Sequence, residues 1–423
     1  MTSPQPAHRR GPRPLLLHLG LAMLRTNTLP AGISPAEWRN LKPDSPPWSA
    51  ILDQVRTMLA QLGQHPNAAP DILAAQIGGS LTQNHDLIAG IAAYRRHPWQ
   101  RDLADPPACW QEGASCLLDY APPNVPPNVP RDAPPDAPTV LFVPSLVNRA
   151  TVLDLTAAQS MLRFLAGHGV RPLLLDWGWP GTLERGFALA DYITGRLHRA
   201  LEAACVLAGG PVVLAGYCMG GTLAVAAAQR QPQHLRGLAL LATPWDFHAG
   251  DPARARQLAA LLAGLEPMLS LTGTLPVDAL QTLFTLLDPW GVGTKYRAFA
   301  QLEPESERAR LFVALEDWLN DGVPLAAPVA RECLAQWYGA NQPANGEWDI
   351  AGMVVDPRAI RHPSFVAVPA RDRIVPPESA RPLAALIPGA VLHEPAAGHI
   401  GMVAGRTAEA VLWRPFLDWL RRL

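Results

Sequence analysis

Residues 212–230 read VVLAGYCMGGTLAVAAAQR, so that an apolar run, a glycine-rich turn and a helical run follow one another directly. This order predicts a nucleophile elbow of the pattern G-x-C-x-G, in which Cys218 stands where serine is usual. The glycines Gly216, Gly220 and Gly221 let a strand and a helix approach each other closely around a strained nucleophile. The first helical turn then directs N–H groups and partial positive charge at the thiol, which favours its thiolate form. We therefore expect Cys218 to be reactive.

On both sides of the elbow, short apolar runs alternate with longer helical runs. This alternation predicts an α/β core, a mostly parallel sheet flanked by helices. The predicted strands are 139–143, 172–175, 212–215, 238–241, 365–368 and 391–392, and the helical runs between them include 157–168, 190–207 and 222–229. We assign residues 139–243 and 360–423 to this core.

The alternation stops after residue 241 and resumes only near residue 364. The intervening sequence is mostly helical, with runs at 254–265, 277–287, 307–319 and 328–338. It is far longer than a crossover between two strands requires. We therefore interpret residues 244–359 as a helical cap inserted over the carboxyl ends of the strands, where ligands of open α/β sheets bind. A cap implies control of access to the site.

Residues 1–120 are predicted to form an N-terminal helical region, with helical periodicity from residue 34 to about residue 110. The apolar positions with this spacing are Ile51, Val55, Met58, Leu59, Leu62, Leu87, Ile88, Ile91 and Tyr94. Residues 121–138 read APPNVPPNVPRDAPPDAP. Because proline removes backbone donors and favours extended geometry, this segment is predicted to be a linker or a long surface loop.

The overall composition excludes two broad classes of function. The 423 residues carry a formal charge of -1 and are 48% hydrophobic, and no apolar run is long enough for a membrane-spanning helix. The near-neutral charge does not support general nucleic-acid binding. The five cysteines are too few and too scattered for a disulfide framework, so a reducing cytoplasm is expected. The spacing of Cys109 and Cys116 fits no metal site, and neither a metal nor a bound cofactor is predicted.

The N-terminus resembles a weak secretory signal, because Arg9, Arg10 and Arg13 precede an apolar run at 15–24. His18 interrupts this run, and no small-residue cleavage site follows at once. The pattern suits an amphipathic helix that lies on a domain or on a lipid-like surface equally well. Export is therefore disfavoured.

Two downstream loops supply the partners that a thiolate nucleophile needs. Asp372 follows the predicted strand at 365–368, and His399 follows the last predicted strand, in the chain order nucleophile, acid, base. We expect His399 to act as the base and Asp372 to orient it. Asp246, which follows the strand at 238–241, is the alternative acid.

An oxyanion formed at the attacked carbonyl requires donors directed at it. In this arrangement one donor is the N–H of the residue after the nucleophile, here Met219. The second is expected from the loop after an early strand, where the N–H of Val147 or a neighbour is the candidate and Asn148 braces the loop.

At these residues the sequence resembles the polyhydroxyalkanoate synthases. The resemblance rests on GYCMGG at 216–221, VPSLVNRATVLDL from 143, LLLDWGWP from 173, RDRIVP at 371–376 and GHIGM at 398–402. It implies an α/β-hydrolase core under a mobile cap, with Cys218 as the acyl-carrying nucleophile, His399 as base and Asp372 as its partner. It also implies a 3-hydroxyacyl-CoA substrate of (R) configuration, a polyester product and frequent action as a homodimer. Shorter synthases can require a second subunit, and the surface of a polyester granule is the implied cellular site.

A cysteine nucleophile points to acyl transfer for an independent reason. A thioester on Cys218 has nearly the transfer potential of the CoA thioester that forms it, so the acyl group can pass onward. The first hypothesis is therefore a polyester-forming acyltransferase. The alternatives are a thioesterase or polyester depolymerase with the same three residues, and a non-catalytic paralogue that binds granules.

Two further groups of residues have a structural and a functional interpretation. The tryptophans of the core and cap are read as packing residues and not as a ligand box; they are Trp177, Trp179, Trp245, Trp290, Trp318, Trp337, Trp348, Trp413 and Trp419. Arg371 and Arg373 flank the predicted acid. They are interpreted as solvated loop charges, with contact to CoA phosphates as the alternative.

Overall fold

The computed structural model describes residues 9–28, 69–120 and 138–423, which divide into two compact units. The helical unit contains the described residues up to Gln100 together with Gln281–Asn320. The sheet unit contains the described residues of Arg101–Leu280 and Asp321–Leu423. The predicted segments 1–120 and 244–359 each contribute to both units, so the units do not follow the predicted boundaries. The assignment of 244–359 as a cap stays a prediction.

The sheet unit is built on eight strands in the order β1-β2-β4-β3-β5-β6-β11-β12. The strands are β1 Ala108–Glu112, β2 Ser115–Asp119, β3 Thr139–Val143, β4 Arg171–Asp176, β5 Val212–Tyr217, β6 Leu235–Leu241, β11 Ser364–Ala367 and β12 Val391–His393. From β4 to β12 all neighbouring strands are parallel, whereas β1 and β2 are antiparallel to their neighbours. Four two-residue strands complete the set: β7 Thr274–Leu275, β8 Leu325–Ala326, β9 Asp349–Ile350 and β10 Met353–Val354.

All six predicted strands are present, within a few residues of their predicted ends. Every residue of β3, β5 and β11 is buried. Because successive side chains of a strand point to opposite faces, this pattern shows that both faces of the central sheet are covered. The α/β prediction is confirmed.

The predicted helical region extends too far, because the sequence from residue 97 to about residue 110 is not helical. The N-terminal helix ends at Arg96, and residues 108–119 form the β1–β2 hairpin at one edge of the sheet. The short turn at Gly113, where φ is +57°, joins the two strands. The two strands have only five residues each and follow a long helical pattern, so their apolar spacing did not predict strands separately. The predicted helical positions at 51–62 lie outside the described residues, as do residues 121–137 of the predicted linker.

The helices of the sheet unit follow the predicted alternation. They are α3 Met161–Ala166, α4 His198–Ala208, α5 Met219–Arg230, α6 Pro252–Ala260, α7 Leu262–Thr272, α11 Ala327–Glu332, α12 Gln342–Asn345, α13 Pro377–Leu386, α14 His399–Ala404 and α15 Arg414–Leu420. Helix α3 is shorter than predicted because Ser160 caps it, its hydroxyl accepting from the N–H of Arg163 at 3.0 Å. Three π-helical segments, Asp191–Leu197, Cys333–Gly339 and Glu409–Trp413, adjoin α4, α11 and α15.

A buried carboxylate fixes the segment before β1 to the sheet unit. The side chain of Asp154 is fully buried and accepts hydrogen bonds from Arg163 Nε at 2.8 Å, Arg101 Nη2 at 3.0 Å and Tyr120 Oη at 3.1 Å. Two guanidinium groups and a phenol therefore compensate the desolvation of one negative charge.

The helical unit contains α1 Leu15–Thr28, α2 Ala69–Arg96, α9 Gly291–Ala300 and α10 Glu307–Asn320. The residues of α8 Val277–Leu287 are divided between the two units after Leu280. The predicted helical positions Leu87, Ile91 and Tyr94 lie on α2 and are buried in its core with Tyr296 and Phe299. Among the described helices, none combines the length and the apolar character that crossing a membrane requires.

Candidate active site

Cys218 lies between the end of β5 and the first residue of α5, as the elbow pattern predicts. Its backbone angles, φ 55° and ψ -131°, lie in a region that residues with a side chain rarely occupy. The amide N of Cys218 donates to the carbonyl of Leu241 on the neighbouring strand at 2.8 Å, which holds the strained residue in place. The thiol is half-buried.

Two glycines of the elbow are required by close packing. A Cβ on Gly220 would lie 2.1 Å from the carbonyl oxygen of Val143, and one on Gly221 would lie 1.9 Å from Oγ1 of Thr243. The first helical turn therefore touches the end of β3 and the residues after β6. This contact positions the nucleophile at the carboxyl edge of the sheet.

The predicted base and acid lie together in the sheet unit. Nδ1 of His399 is 2.6 Å from Oδ2 of Asp372. The other carboxylate oxygen of Asp372 accepts from the backbone N–H groups of Ile374 at 2.8 Å and Val375 at 2.9 Å, so that the loop itself fixes the carboxylate. The Asp372 side chain is fully buried and that of His399 is nearly so.

The charges around His399 favour its protonated form. Burial acts to lower the pKa of His399, but the negative charges of Cys218 and Asp372 and hydrogen bonds to both side chains outweigh it and raise the pKa to about 10. The side chain of Cys218 is thus close enough to His399 to influence its pKa. A proton that leaves the thiol therefore has a stabilised position on the imidazole. The structure brings the three predicted residues together, and their catalytic roles stay predictions.

The alternative acid, Asp246, is engaged elsewhere. Its Oδ1 accepts from Nδ2 of Asn341 at 2.9 Å and from the backbone N–H of His248 at 2.9 Å. Its carboxylate thus organises the segment after β6, whereas the carboxylate of Asp372 contacts the histidine.

The predicted oxyanion donors differ in what they bind. Met219 is the first residue of α5, where the backbone N–H groups have no acceptor within the helix. The N–H of Val147 donates to Oγ of Ser145 at 3.1 Å, so this donor is already used within its own loop. Asn148 has a φ of +68°, which gives the loop a sharp bend directly after Val147. The N–H of Val147 could donate to an oxyanion only if its hydrogen bond to Oγ of Ser145 were broken.

Two tyrosines near the nucleophile were not predicted as site residues. The ring of Tyr217 lies 5.2 Å from that of His399, and its hydroxyl donates to the His399 carbonyl at 3.3 Å. Burial and the nearby charges of Cys218 and Asp372 raise the pKa of Tyr217. Tyr338 lies in the π-helical segment after α11; burial, Cys333 and Cys218 raise its pKa. Tyr217 stood inside the elbow motif, whereas nothing local in the sequence connects Tyr338 with Cys218.

The other cysteines have environments that disfavour thiolate. Burial, followed by the charge of Asp176, raises the pKa of Cys116 to about 11, and burial also raises the pKa of Cys109, Cys205 and Cys333. All five cysteines are free thiols. In the described part of the chain, no group of three or more His, Cys, Asp or Glu side chains is arranged to hold a metal ion.

Comparison with known proteins identifies the family of this chain. The profile of a family described as alpha/beta hydrolase matches residues 140–412, which is more than half of the chain. The chain therefore belongs to the alpha/beta-hydrolase family.

Within that family the chain is similar to poly(3-hydroxyalkanoate) polymerases. It is 31% identical to a poly(3-hydroxyalkanoate) polymerase subunit of Haloferax mediterranei over 285 residues, which are 66% of this chain and 58% of that protein. It is 28% identical over 287 residues to the subunit of the same name from Allochromatium vinosum, covering 66% of this chain and 80% of that one. Among solved structures, the thioesterase domain from the curacin biosynthetic pathway aligns with a TM-score of 0.43 and 16% identity over 73% of this chain and 95% of that domain. The chain thus spans less than two thirds of the Haloferax relative.

Proposed function

We propose that the protein is an acyltransferase that polymerises (R)-3-hydroxyacyl-CoA into polyhydroxyalkanoate and releases CoA. The observation that carries this proposal is a cysteine on a hydrolase elbow beside a buried histidine–aspartate pair. The similarity to poly(3-hydroxyalkanoate) polymerase subunits supports the same substrate class.

The first half of the proposed cycle loads the enzyme. His399 takes the thiol proton of Cys218, and the thiolate attacks the carbonyl carbon of the CoA thioester. The negative oxygen that forms accepts from the N–H of Met219 at the start of α5. When the carbon–sulfur bond to CoA breaks, the imidazolium of His399 donates its proton to the departing thiolate. CoA leaves as the thiol, and the acyl group stays on Cys218 as a thioester.

The second half lengthens the chain. The 3-hydroxyl of another hydroxyacyl unit loses its proton to the imidazole, whose protonated form Asp372 stabilises. The alkoxide attacks the acyl-enzyme, an ester bond forms, and Cys218 departs and regains the proton. The product is one unit longer. If the acceptor was itself a CoA thioester, the product can acylate Cys218 again, because the two thioesters have similar transfer potential. The cycle uses side chains and the CoA thioester alone, without a further cofactor.

Cellular context is part of the same proposal. The growing polyester is the macromolecular partner, at the surface of granules in the cytoplasm, and nucleic acid has no role. The protein is proposed to act as a homodimer, and activity that appears only after addition of a candidate second subunit would show that this chain requires one.

The test is thiol release from 3-hydroxybutyryl-CoA by the purified full chain, with and without the second subunit, followed by analysis of the product. Cys218→Ala is the matched control. Thiol release that depends on Cys218 and yields polymer supports the proposal. Release of free hydroxy acid would replace it with the thioesterase or depolymerase hypothesis. The absence of Cys218-dependent thiol release under both conditions would contradict catalysis and favour the granule-binding paralogue.

A further inference from the structure

Trp179 differs in exposure from the other tryptophans of the sheet unit. Trp177, Trp245, Trp337 and Trp348 are almost fully buried, as packing residues should be. By contrast, Trp179 is 48% exposed on the loop that follows β4. A ligand that covers this exposed indole would gain free energy from the burial. The residues around Trp179 indicate which kind of ligand fits.

The ring of Trp179 is held by a cation on the neighbouring loop. The guanidinium carbon of Arg149 lies 5.8 Å from the ring centroid, and Nε of Arg149 is 3.3 Å from Oδ2 of Asp321. The guanidinium therefore lies between the indole and a carboxylate, and about a third of the arginine side chain is exposed. The result is a half-exposed indole with a guanidinium group over its ring.

The loop that carries Trp179 packs close to the nucleophile elbow through its neighbour Trp177. Nε1 of Trp177, two residues before Trp179, donates to the carbonyl of Pro144 at 3.0 Å. The same carbonyl oxygen would lie 2.5 Å from a Cβ on Gly220, in the first turn after Cys218. The loops after β4 and β3 therefore pack against each other and against the elbow. Since β4 and β5 pair with opposite sides of β3, this is the point of the sheet where ligands of α/β proteins bind.

We propose that Trp179 and Arg149 bind the adenine nucleotide part of CoA. This inference rests on the proposed function, which makes a CoA thioester the substrate. An adenine base stacks on an exposed indole, and a guanidinium next to it suits the phosphates attached to the ribose. Nε of Arg149 faces the carboxylate of Asp321.

The arrangement separates recognition from chemistry. The nucleotide binds on the loops after β3 and β4, while the acyl end reaches Cys218 after β5. Loss of Trp179 should therefore weaken binding of the nucleotide and leave the reaction of a thioester without a nucleotide unchanged.

The experiment measures binding without turnover. Cys218→Ala protein is titrated calorimetrically with CoA and, separately, with 4′-phosphopantetheine, which lacks the adenine nucleotide. The same titrations are made with the double variants that carry Trp179→Ala or Trp179→Phe in addition to Cys218→Ala. Val206→Ala, at another strongly exposed apolar position, serves as the surface control. Thermal unfolding of each variant checks that the fold is intact.

We expect Trp179→Ala to weaken CoA binding about tenfold, Trp179→Phe to retain most of the affinity, and 4′-phosphopantetheine to bind equally to all variants. Equal CoA affinity in the Trp179→Ala and Val206→Ala proteins would overturn the inference, and so would an equal loss for both ligands or the absence of CoA binding. Thiol release by the wild-type protein is measured separately. If CoA affinity is unaffected while thiol release occurs, the inference fails and the proposed function stands.

Discussion

Oδ2 of Asp372 lies 2.6 Å from Nδ1 of His399, although 27 positions of sequence separate the two residues. The aspartate follows β11 and the histidine follows β12, the two strands at one end of the parallel sheet. Because the loops after parallel strands emerge at the same edge, this register brings the two side chains together beside Cys218.

The first prediction concerns the choice of acid. Asp372→Asn should lower Cys218-dependent thiol release by at least about a hundredfold, because a neutral amide no longer stabilises the imidazolium. Asp246→Asn should have a much smaller effect, since Asp246 bonds to Asn341 and not to His399. Steady-state rates of both purified variants provide the comparison. A larger loss in the Asp246 variant would reverse the assignment.

The second prediction concerns the titration of His399. Its pKa is raised to about 10, so the imidazole should be protonated at neutral pH and lose its proton as the pH rises through that value. Cys218→Ala removes the largest raising influence while burial remains, so the pKa should fall; Asp372→Asn should lower it further. The measurement is an NMR titration of the imidazole, assigned with His399→Gln. An unchanged midpoint in Cys218→Ala would show that the thiol does not interact with the imidazole.

The third prediction concerns the selectivity of thiol modification. At neutral pH, iodoacetamide should alkylate Cys218 faster than the other cysteines. The imidazolium of His399 lies beside Cys218, whereas burial raises the pKa of Cys109, Cys116, Cys205 and Cys333. Peptide mass spectrometry over time gives the order of labelling. His399→Gln should reduce this preference, and earlier labelling of Cys116 than of Cys218 would refute the expectation.

The fourth prediction tests the packing of the elbow. In an open helical position, Gly→Ala stabilises a protein by roughly 1 kcal/mol. Gly220→Ala should instead destabilise it by about 1–3 kcal/mol, because the added Cβ would meet the backbone oxygens of Val143 and Pro144. Gly264→Ala, a helical position with open space, is the matched control. Urea unfolding compares the two, and equal stability changes would mean that the contact is absent.

The fifth prediction concerns the buried carboxylate. Asp154→Ala should lower the free energy of unfolding by about 1–3 kcal/mol, since it removes the acceptor of the buried Tyr120 hydroxyl and the ion pairs with Arg101 and Arg163. Glu266→Ala, at a solvent-exposed ion pair with Arg331, should have little effect. Denaturant unfolding measures both proteins. Similar losses would indicate that Asp154 contributes no more than a surface charge.

Local sequence patterns predicted most of the sheet unit. Six apolar runs became six strands, because a strand covered on both faces needs a short continuous run of apolar residues. The β1–β2 hairpin was missed since its short strands are only partly apolar and follow a long helix. The grouping of Gln281–Asn320 with the N-terminal helices was also missed, because it depends on contacts between residues about two hundred positions apart.

The sequence by itself determined the elbow, since a strand, a glycine-rich turn and a helix around Cys218 are encoded in consecutive residues. It also determined that an acid and a histidine would follow later strands. Only the tertiary structure placed Asp372 against His399 and Asp246 against Asn341. It also tied the Val147 N–H to Ser145, brought Tyr338 close to Cys218 and left Trp179 exposed beside Arg149. The physical reason is that these contacts depend on the conformations of the loops and on packing between residues far apart in the sequence. A local pattern of residue types predicts neither the loop conformations nor this packing.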